Sequence, residues 1–221
     1  MSITTPDEKT WNRFWSREET VPFTQVSWSK RRILKVLKEF LRPGGKALDA
    51  GCGSGFFSKY FCDQSMITVS VDHCDHALDI AAQMTGGRSK MVKADLLKAG
   101  VVMETGGGFE LIFSNGLLEH FSIEDQDKIL RNFLSMLAKD GFVVTFVPNR
   151  FSPWELIRPF FMPGIEETPF VLKELISLNQ RSHLKVIRSG GVNTVPFSFS
   201  PDGIFGSSFG MLLYTVSQKN A

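Results

Sequence analysis

The sequence predicts an α/β fold built on a doubly wound sheet. Short apolar runs, rich in β-branched and aromatic residues, alternate along the chain with segments of helical periodicity, and this alternation is typical of βαβ units. The run at 48–50 ends in alternating glycines, and later runs end in Asp or Asn. Doubly wound sheets bind ligands at the carboxyl ends of their strands, so these residues also predict where a ligand lies.

Two helical segments precede the first strand and predict a helical cap over residues 1–45. Aromatic residues recur at helical spacing in the first segment, and apolar residues at 33–41 form the stripe of an amphipathic second helix. The basic residues of this second helix are Lys30, Arg31, Arg32, Lys35 and Lys38. Because no aromatic residues are interleaved with them, a solvated helix face is favoured over a nucleic-acid site.

A glycine-rich loop follows the first strand. Gly51, Gly53 and Gly55 lead into a helix that begins at Phe56. Glycine lacks a Cβ, so the loop can adopt positive φ angles and approach a ligand closely. This pattern predicts a nucleotide-like cofactor, with a tight structural turn as the alternative.

The identity of two residues argues against a dinucleotide in this loop. A dinucleotide-binding fingerprint requires Gly or Ala at position 56, where this chain has Phe. Asp49, at the end of the strand, places a negative charge that favours a cationic ligand over a pyrophosphate. An NAD(P)-dependent reductase is therefore disfavoured.

Polar residues end the next three predicted strands. The run at 66–71 ends in Asp72, 23 positions after Asp49, close to the roughly 20-residue offset at which a carboxylate meets ribose hydroxyls. The run at 89–94 stops at Asp95, whose carboxylate can accept a hydrogen bond from an exocyclic amine. The run at 109–114 leads into Asn115.

These motifs, in this order, resemble those of class I S-adenosylmethionine-dependent methyltransferases, in particular the small-molecule branch. The resemblance covers about residues 30–150 and implies a Rossmann-like sheet of seven strands, mostly parallel, with an antiparallel last strand and helices on both faces. It implies S-adenosyl-L-methionine as cofactor and S-adenosyl-L-homocysteine as product. The cofactor-binding residues that it implies are Asp49, Gly51, Cys52, Gly53, Gly55, Asp72, His73, Asp95, Leu96, Asn115 and Leu118.

Each part of the cofactor has an expected partner in this family. The loop at 48–55 encloses the methionine part, Asp72 holds the ribose, the pair at 95–96 meets the adenine, and the segment at 115–120 passes beside the sulfonium. His73 stands where many relatives carry an apolar residue against the adenine. The family's amino-terminal region frequently folds over the cofactor, which makes a lid the alternative to simple packing for Trp11, Phe14 and Trp15.

The second half of the chain completes the sheet. Ser122 begins a helix that runs to about Lys139, and a turn at Asp140–Gly141 leads into a fifth strand. Thr168 and Pro169 are predicted to open another helix, which ends near Leu178. The remaining predicted strands are 141–147, 183–188 and 211–216.

Two aromatic stretches lie outside this scaffold. The first, 150–167, contains Phe151, Trp154, Ile157, Phe160, Phe161 and Met162 among three prolines, and the second, 194–210, contains four phenylalanines. Loops at the carboxyl ends of strands usually carry ligand specificity, so the first stretch predicts a substrate lid. A homodimer interface or a satellite core is the alternative.

Composition and short motifs exclude several classes. The 221 residues are expected to form one domain, and a net charge of +2 gives no nucleic-acid or anionic-membrane signature. No signal peptide or membrane-spanning stretch is found, so a cytoplasmic protein is expected.

A metal site and a DNA substrate are also disfavoured. The side chains of the adjacent residues His73, Cys74, Asp75 and His76 point in different directions, so no metal is predicted. DNA is disfavoured because Ser114–Leu117 replaces the Asn/Asp-Pro-Pro-Tyr/Phe motif of relatives that methylate nucleobase amines.

The expected chemistry is in-line methyl transfer to a small, partly apolar O, N or C nucleophile. The sulfonium already activates the methyl group, so the protein mainly orients the acceptor. His120 is the candidate base, because it follows the fourth strand and its usual pKa is about 6.5. The favoured alternative is that Glu119 and His120 brace the loop or the cofactor's amino end, because members of the resembling family often carry this pair whatever their acceptor. A cofactor-binding protein without catalysis remains the main alternative function.

Overall fold

A computed structural model describes residues 7–161, 165 and 167–220. The strands in these ranges are β1 (Lys46–Ala50), β2 (Ile67–Asp72), β3 (Lys90–Lys93), β4 (Phe109–Asn115), β5 (Leu137–Pro148), β6 (Leu184–Val192) and β7 (Leu212–Lys219). The α-helices are α1 (Glu8–Trp15), α2 (Trp28–Leu37), α3 (Phe56–Asp63), α4 (Asp75–Thr85), α5 (Val101–Thr105), α6 (Ile123–Met136), α7 (Trp154–Phe161), α8 (Leu172–Arg181) and α9 (Asp202–Phe209).

The seven strands form a single sheet in the order β3-β2-β1-β4-β5-β7-β6. β7 runs antiparallel to both of its neighbours, and the pairs from β3 to β5 are parallel. This confirms the doubly wound, mostly parallel sheet with an antiparallel last strand. Strand order reverses at β1, which pairs with β2 on one side and β4 on the other. Such a switch point is where ligands bind in doubly wound folds.

Apolar side chains on the two faces of the sheet form two separate core clusters. Leu48 and Ile112 belong to the cluster that includes α6 and α8 residues, whereas Ala47, Leu111 and Phe113 belong to the cluster that includes α2 and α3 residues. Successive strand residues point to opposite faces, so the central strands are apolar throughout because both faces are covered. The sheet is therefore a rigid support for the loops at its edge.

The boundary between α6 and β5 differs from the prediction. The Ser122 hydroxyl accepts from the Asp125 amide at 3.2 Å, which confirms the helix start, but the helix ends at Met136 instead of near Lys139. Leu137 already pairs with Phe109, ahead of a register shift in β4. The expected turn at 140–141 is therefore part of β5, because strand pairing begins before it.

The other differences concern segments predicted as loops or helix starts. α8 begins at Leu172 rather than at Thr168, because Phe170 still forms a parallel bridge with Asn149. The stretches at 150–167 and 194–210 contain α7 and α9. Met162, one of the aromatic-stretch residues singled out above, lies outside the described residues. In the described part of the chain, no helix combines the length and apolar character needed to cross a bilayer.

Candidate functional site

The loops after β1, β2 and β4 surround a cavity of about 1050 Å³. Most of the residues predicted from the sequence line it, namely Asp49, Gly51, Cys52, Gly53, Asp72, His73, Asp95, Leu96, Asn115 and His120. Two predicted residues lie behind the wall instead. Leu118 is fully buried in the core, and Gly55 is the N-cap residue of α3. The neighbour Leu117 lines the cavity in place of Leu118.

The glycine loop requires glycine at two positions for steric reasons. Gly53 has a φ of +48°, and a Cβ there would lie 2.6 Å from the Trp15 ring. Gly55 has a φ of +70°, and a Cβ there would lie 2.5 Å from the Ala81 Cα in α4. These φ values are unfavourable for residues with a side chain. The loop is thus pressed between α1 and α4.

Asp72 holds the glycine loop in position. Its two carboxylate oxygens accept from the Gly53 amide and the Cys74 amide, each at 3.0 Å. Burial raises the pKa of Asp72, while these two amides oppose the rise. A carboxylate has about four acceptor positions, so Asp72 can also accept hydrogen bonds from hydroxyl groups in the cavity.

Asp49 lies deeper, at the end of β1. It is 2% exposed and accepts from the Ser58 hydroxyl at 2.5 Å. Burial raises its pKa to about 7, and the Ser58 hydrogen bond only partly opposes this rise. A cation placed beside Asp49 would favour its ionised form. The site therefore combines a buried acid with room for a positively charged group.

Residues after β3 and β4 complete this part of the wall. The Asp95 carboxylate accepts from the Leu97 amide at 2.9 Å, which fixes the turn that presents Leu96. Asn115 Oδ1 is buried and has no hydrogen-bond partner among the described residues. A buried acceptor left without a partner costs about 1–3 kcal/mol. Asn115 is thus available to a donor on a bound molecule.

The amino-terminal segment covers the glycine loop. Trp11, Phe14 and Trp15 of α1 all line the cavity. The Ser54 hydroxyl donates to the Phe23 carbonyl at 2.7 Å, which ties the segment after α1 to the loop. The ring centroids of Trp11 and His120 lie 5.0 Å apart in an edge-on arrangement. The aromatic residues of α1 thus contact both sides of the cavity.

The basic face of α2 is only partly solvated. Lys30 lies at the cavity wall, where its Nζ donates to the carbonyls of Phe23 and Gln25 and lies 4.2 Å from the centroid of the Phe56 ring. Burial lowers the pKa of Lys30 to about 8. Arg32 pairs with Asp202 at 3.1 Å. Lys30 and Arg32 therefore make structural contacts, which the expectation of a solvated face did not include.

Sequence reasoning missed an acidic cluster formed by Glu119, Glu155, Glu167 and Arg158, of which Glu119, Glu167 and Arg158 line the cavity. Arg158 Nε lies 2.8 Å from Glu167 Oε1 and 3.3 Å from Glu155 Oε2. Burial raises the pKa of all three carboxyl groups, to about 7 for Glu167 and well above its ordinary value for Glu119. The sequence did contain one signal for this cluster. Glu155 and Arg158, three positions apart, are the charged residues of the otherwise apolar α7.

Two residues of the acidic cluster, Glu119 and Glu167, lie close to His120. Ligand atoms of Glu119, His120 and Glu167 all lie within 4.8 Å of one another, and they are the one group in the described ranges with a spacing that suits a metal ion. The adjacent residues at 73–76 do not form such a group, and the Cys74 thiol donates to Asn12 at 3.3 Å. The geometry at Glu119, His120 and Glu167 suits a cation of some kind.

Comparison with known proteins identifies a family to which the chain is similar. A family model described as a methyltransferase domain matches residues 25–195. A structure of an S-adenosylmethionine-dependent methyltransferase from Anabaena variabilis aligns with a TM-score of 0.70 and 19% identity, covering 100% of this chain and 99% of that one. No curated protein sequence matches the chain significantly.

Two further solved structures share the fold along nearly their whole length. The N-methyltransferase NodS from Bradyrhizobium japonicum, in complex with S-adenosylhomocysteine, aligns with a TM-score of 0.69 and 15% identity over 97% of this chain and 98% of that one. A TehB-like S-adenosylmethionine-dependent methyltransferase from Corynebacterium glutamicum aligns with a TM-score of 0.65 and 18% identity over 96% and 98%.

Proposed function

Because the chain belongs to the family of S-adenosylmethionine-dependent methyltransferases, we propose that it methylates a small, partly apolar molecule at an O, N or C nucleophile. One observation carries the proposal of a small acceptor. The cavity at the switch point is enclosed by aromatic residues of α1 and α7 and holds the predicted cofactor residues in its wall. A pocket of about 300–1,000 Å³ is typical of small-molecule sites.

The residues present fit the cofactor at three points, and we propose their roles accordingly. Asp72 has acceptor positions left for the ribose hydroxyls. Asp49 offers a buried negative charge to the cationic methionine part. Asn115 Oδ1 lacks a partner among the described residues and would accept from a donor on the cofactor or the acceptor. Cys52, Gly53 and Leu96 supply the surrounding wall.

The bound cofactor would supply a methyl group activated by its sulfonium. The protein's part is then to hold the acceptor in line with the methyl group and to exclude water, which can supply much of the rate enhancement. His120 is buried at 3% exposure and contacts Trp11 edge-on. We propose that His120 lies beside the acceptor and removes its proton where the acceptor carries one.

The two segments outside the sheet have proposed roles in substrate access. The amino-terminal cap covers the glycine loop through Trp15 and Phe23. In the aromatic stretch at 150–167, Trp154 and Arg158 line the cavity, one turn apart on α7. This placement supports a lid over the acceptor.

Exposed apolar side chains of the aromatic stretch at 150–167 support a homodimer. Phe151, Ile157 and Phe160 are 61%, 47% and 83% exposed, and exposed apolar patches often mark protein interfaces. We expect sedimentation equilibrium to give twice the chain mass of 24.8 kDa, and Phe160→Glu to return the monomer. A monomeric wild-type protein at all concentrations would contradict this proposal.

Titration calorimetry with S-adenosylmethionine, S-adenosylhomocysteine and NADH tests the cofactor assignment. We expect the first two to bind in the micromolar range, which corresponds to about −8 kcal/mol, and NADH to give no signal. Binding of NADH alone would favour a reductase. Tight cofactor binding without methylated product from any amine, hydroxyl or carbon acceptor would favour a cofactor-binding protein without catalysis.

A further inference from the structure

We propose that the acceptor is an amine, which binds as an ammonium ion between Glu119, Glu167 and His120 at the acidic cluster. This inference rests on the proposed methyl transfer and names the acceptor class within it. The inference starts from a group of side chains at the cavity wall in which carboxylates outnumber cations. None of these side chains is among the cofactor-binding residues described above.

Glu119 is the central observation. Its side chain is 1% exposed, and its Oε2 has no hydrogen-bond partner among the described residues. A buried carboxylate oxygen without a donor is costly. Glu119 also lines the cavity, as do Glu167 and His120. The unsatisfied oxygen therefore belongs to a residue of the cavity wall, beside two other potential acceptors.

The spacing of the acceptors suits an ammonium group. The ligand atoms of Glu119, His120 and Glu167 lie within 4.8 Å of one another. Charge-assisted hydrogen bonds from nitrogen to carboxylate are about 2.7–2.9 Å long, so one nitrogen can lie between acceptors at this separation. An ammonium carries three donors, which matches the three residues.

The charge of the acidic cluster also calls for a cation. Among the described residues of the cluster, three carboxylates face one guanidinium: Arg158 is the ion-pair partner of Glu155 and Glu167, and Glu119 lies close enough to feel its charge. Arg158 Nη1 donates as well to the Ile165 carbonyl at 3.2 Å, which holds the guanidinium in place. One Arg cannot neutralise these three carboxylates, and a bound ammonium would let a second one ionise.

An organic cation fits this place better than a metal ion. The guanidinium of Arg158 lies 2.8 Å from Glu167 and already occupies one side of its carboxylate, whereas a hard metal ion requires several oxygen ligands at once. Aromatic residues adjoin the cluster, with Trp11 against His120 and Trp154 on α7. Carboxylates beside aromatic faces are suited to ammonium groups with an apolar body.

The reaction balances with these groups alone. The ammonium gives one proton to His120 or to a carboxylate of the cluster and becomes a neutral amine. Its lone pair forms the N–C bond as the S–C bond breaks, and the bonding electrons go to sulfur. The products are S-adenosylhomocysteine and an N-methylammonium ion, and the proton held by the protein passes to solvent.

Calorimetry with matched amines and alcohols tests the proposal. Protein saturated with S-adenosylhomocysteine is titrated with benzylamine, 2-phenylethylamine and tryptamine, and with benzyl alcohol, 2-phenylethanol and tryptophol. We expect at least one amine to bind about tenfold more tightly than its alcohol, and mass spectrometry to show its N-methyl product with S-adenosylmethionine. Equal binding within all three pairs would overturn the proposal.

Variants and a metal titration separate the remaining outcomes. Glu119→Gln and Glu167→Gln should reduce the preference for the amine to about twofold or less, while binding of S-adenosylhomocysteine shows that each variant is folded. The control Glu174→Gln removes an exposed acid paired with Arg150 and should keep the preference. Stoichiometric Mn²⁺ binding that Glu119→Gln abolishes would identify a metal site and overturn the amine. Failure of the wild type to bind S-adenosylhomocysteine would overturn the proposed function as well.

Discussion

Replacing Asp72 with alanine should weaken the binding of S-adenosylmethionine by at least about 100-fold. Hydrogen bonds to a charged group contribute about 1.5–3 kcal/mol each, and the proposed ribose contacts number two. The substitution also removes the acceptor for the Gly53 and Cys74 amides. The glycine loop then loses its tie to β2, so the affinity falls through both direct contact and loop position.

Calorimetry on the purified variant measures this loss, and S-adenosylhomocysteine serves equally well because it carries the same ribose. The matched control is Asp79→Ala, which removes an exposed carboxylate from α4 and should leave the affinity unchanged. Thermal unfolding of both variants shows whether the fold survives. An Asp72→Ala protein that binds as tightly as the wild type would mean that Asp72 does not hold the ribose.

The location of the site could be predicted because its residues follow directly from the strand pattern. Asp49, Asp72 and Asp95 each stand at the end of a parallel strand or just after one, and parallel strands bring such ends to one edge. The alternation of strands and helices predicts that these strands are parallel, so their carboxyl ends lie at the same edge of the sheet. The local sequence was therefore sufficient to predict that carboxylates far apart in the chain lie close together.

Details that depend on single-residue geometry were not predictable in the same way. Leu117 and Leu118 are chemically alike, yet the turn after β4 directs Leu117 to the cavity and Leu118 to the core. The start of β5 at Leu137 depends on its pairing with Phe109. Neither outcome is encoded in the local pattern, because each is decided by contacts with another element.

The acidic cluster shows the same limitation at longer range. Glu119 follows β4, whereas Arg158 and Glu167 come from the aromatic stretch that folds back over the cavity. Sequence periodicity predicts that Glu119 follows β4, but it does not predict how the stretch at 150–167 folds. In isolation, each acid is consistent with a surface residue, and only their shared burial identifies a site.

Replacing Asp49 with asparagine should stabilise the free protein at pH 8 and impair cofactor binding. Burial raises the pKa of Asp49 to about 7 in the folded chain, from an ordinary value of 3.8. A raised acid pKa means that the folded state binds more protons, so stability falls as the pH rises from about 4 to about 7. Asparagine keeps the acceptor for Ser58 without a charge, so the variant should gain roughly 2–4 kcal/mol at pH 8 and little near pH 4.

Denaturant unfolding at pH 5, 6.5 and 8 measures the stability change, and Asp140→Asn, at an exposed acid of β5, is the control. Cofactor affinity should move in the opposite direction. The wild type must ionise Asp49 to pair with the cationic methionine part, so its affinity should rise between about pH 5.5 and 7.5. Asp49→Asn should bind at least about tenfold more weakly at pH 8 with a flatter pH profile. Equal affinity would assign Asp49 to the structure of the loop, because a neutral amide cannot replace a carboxylate as the partner of a cation.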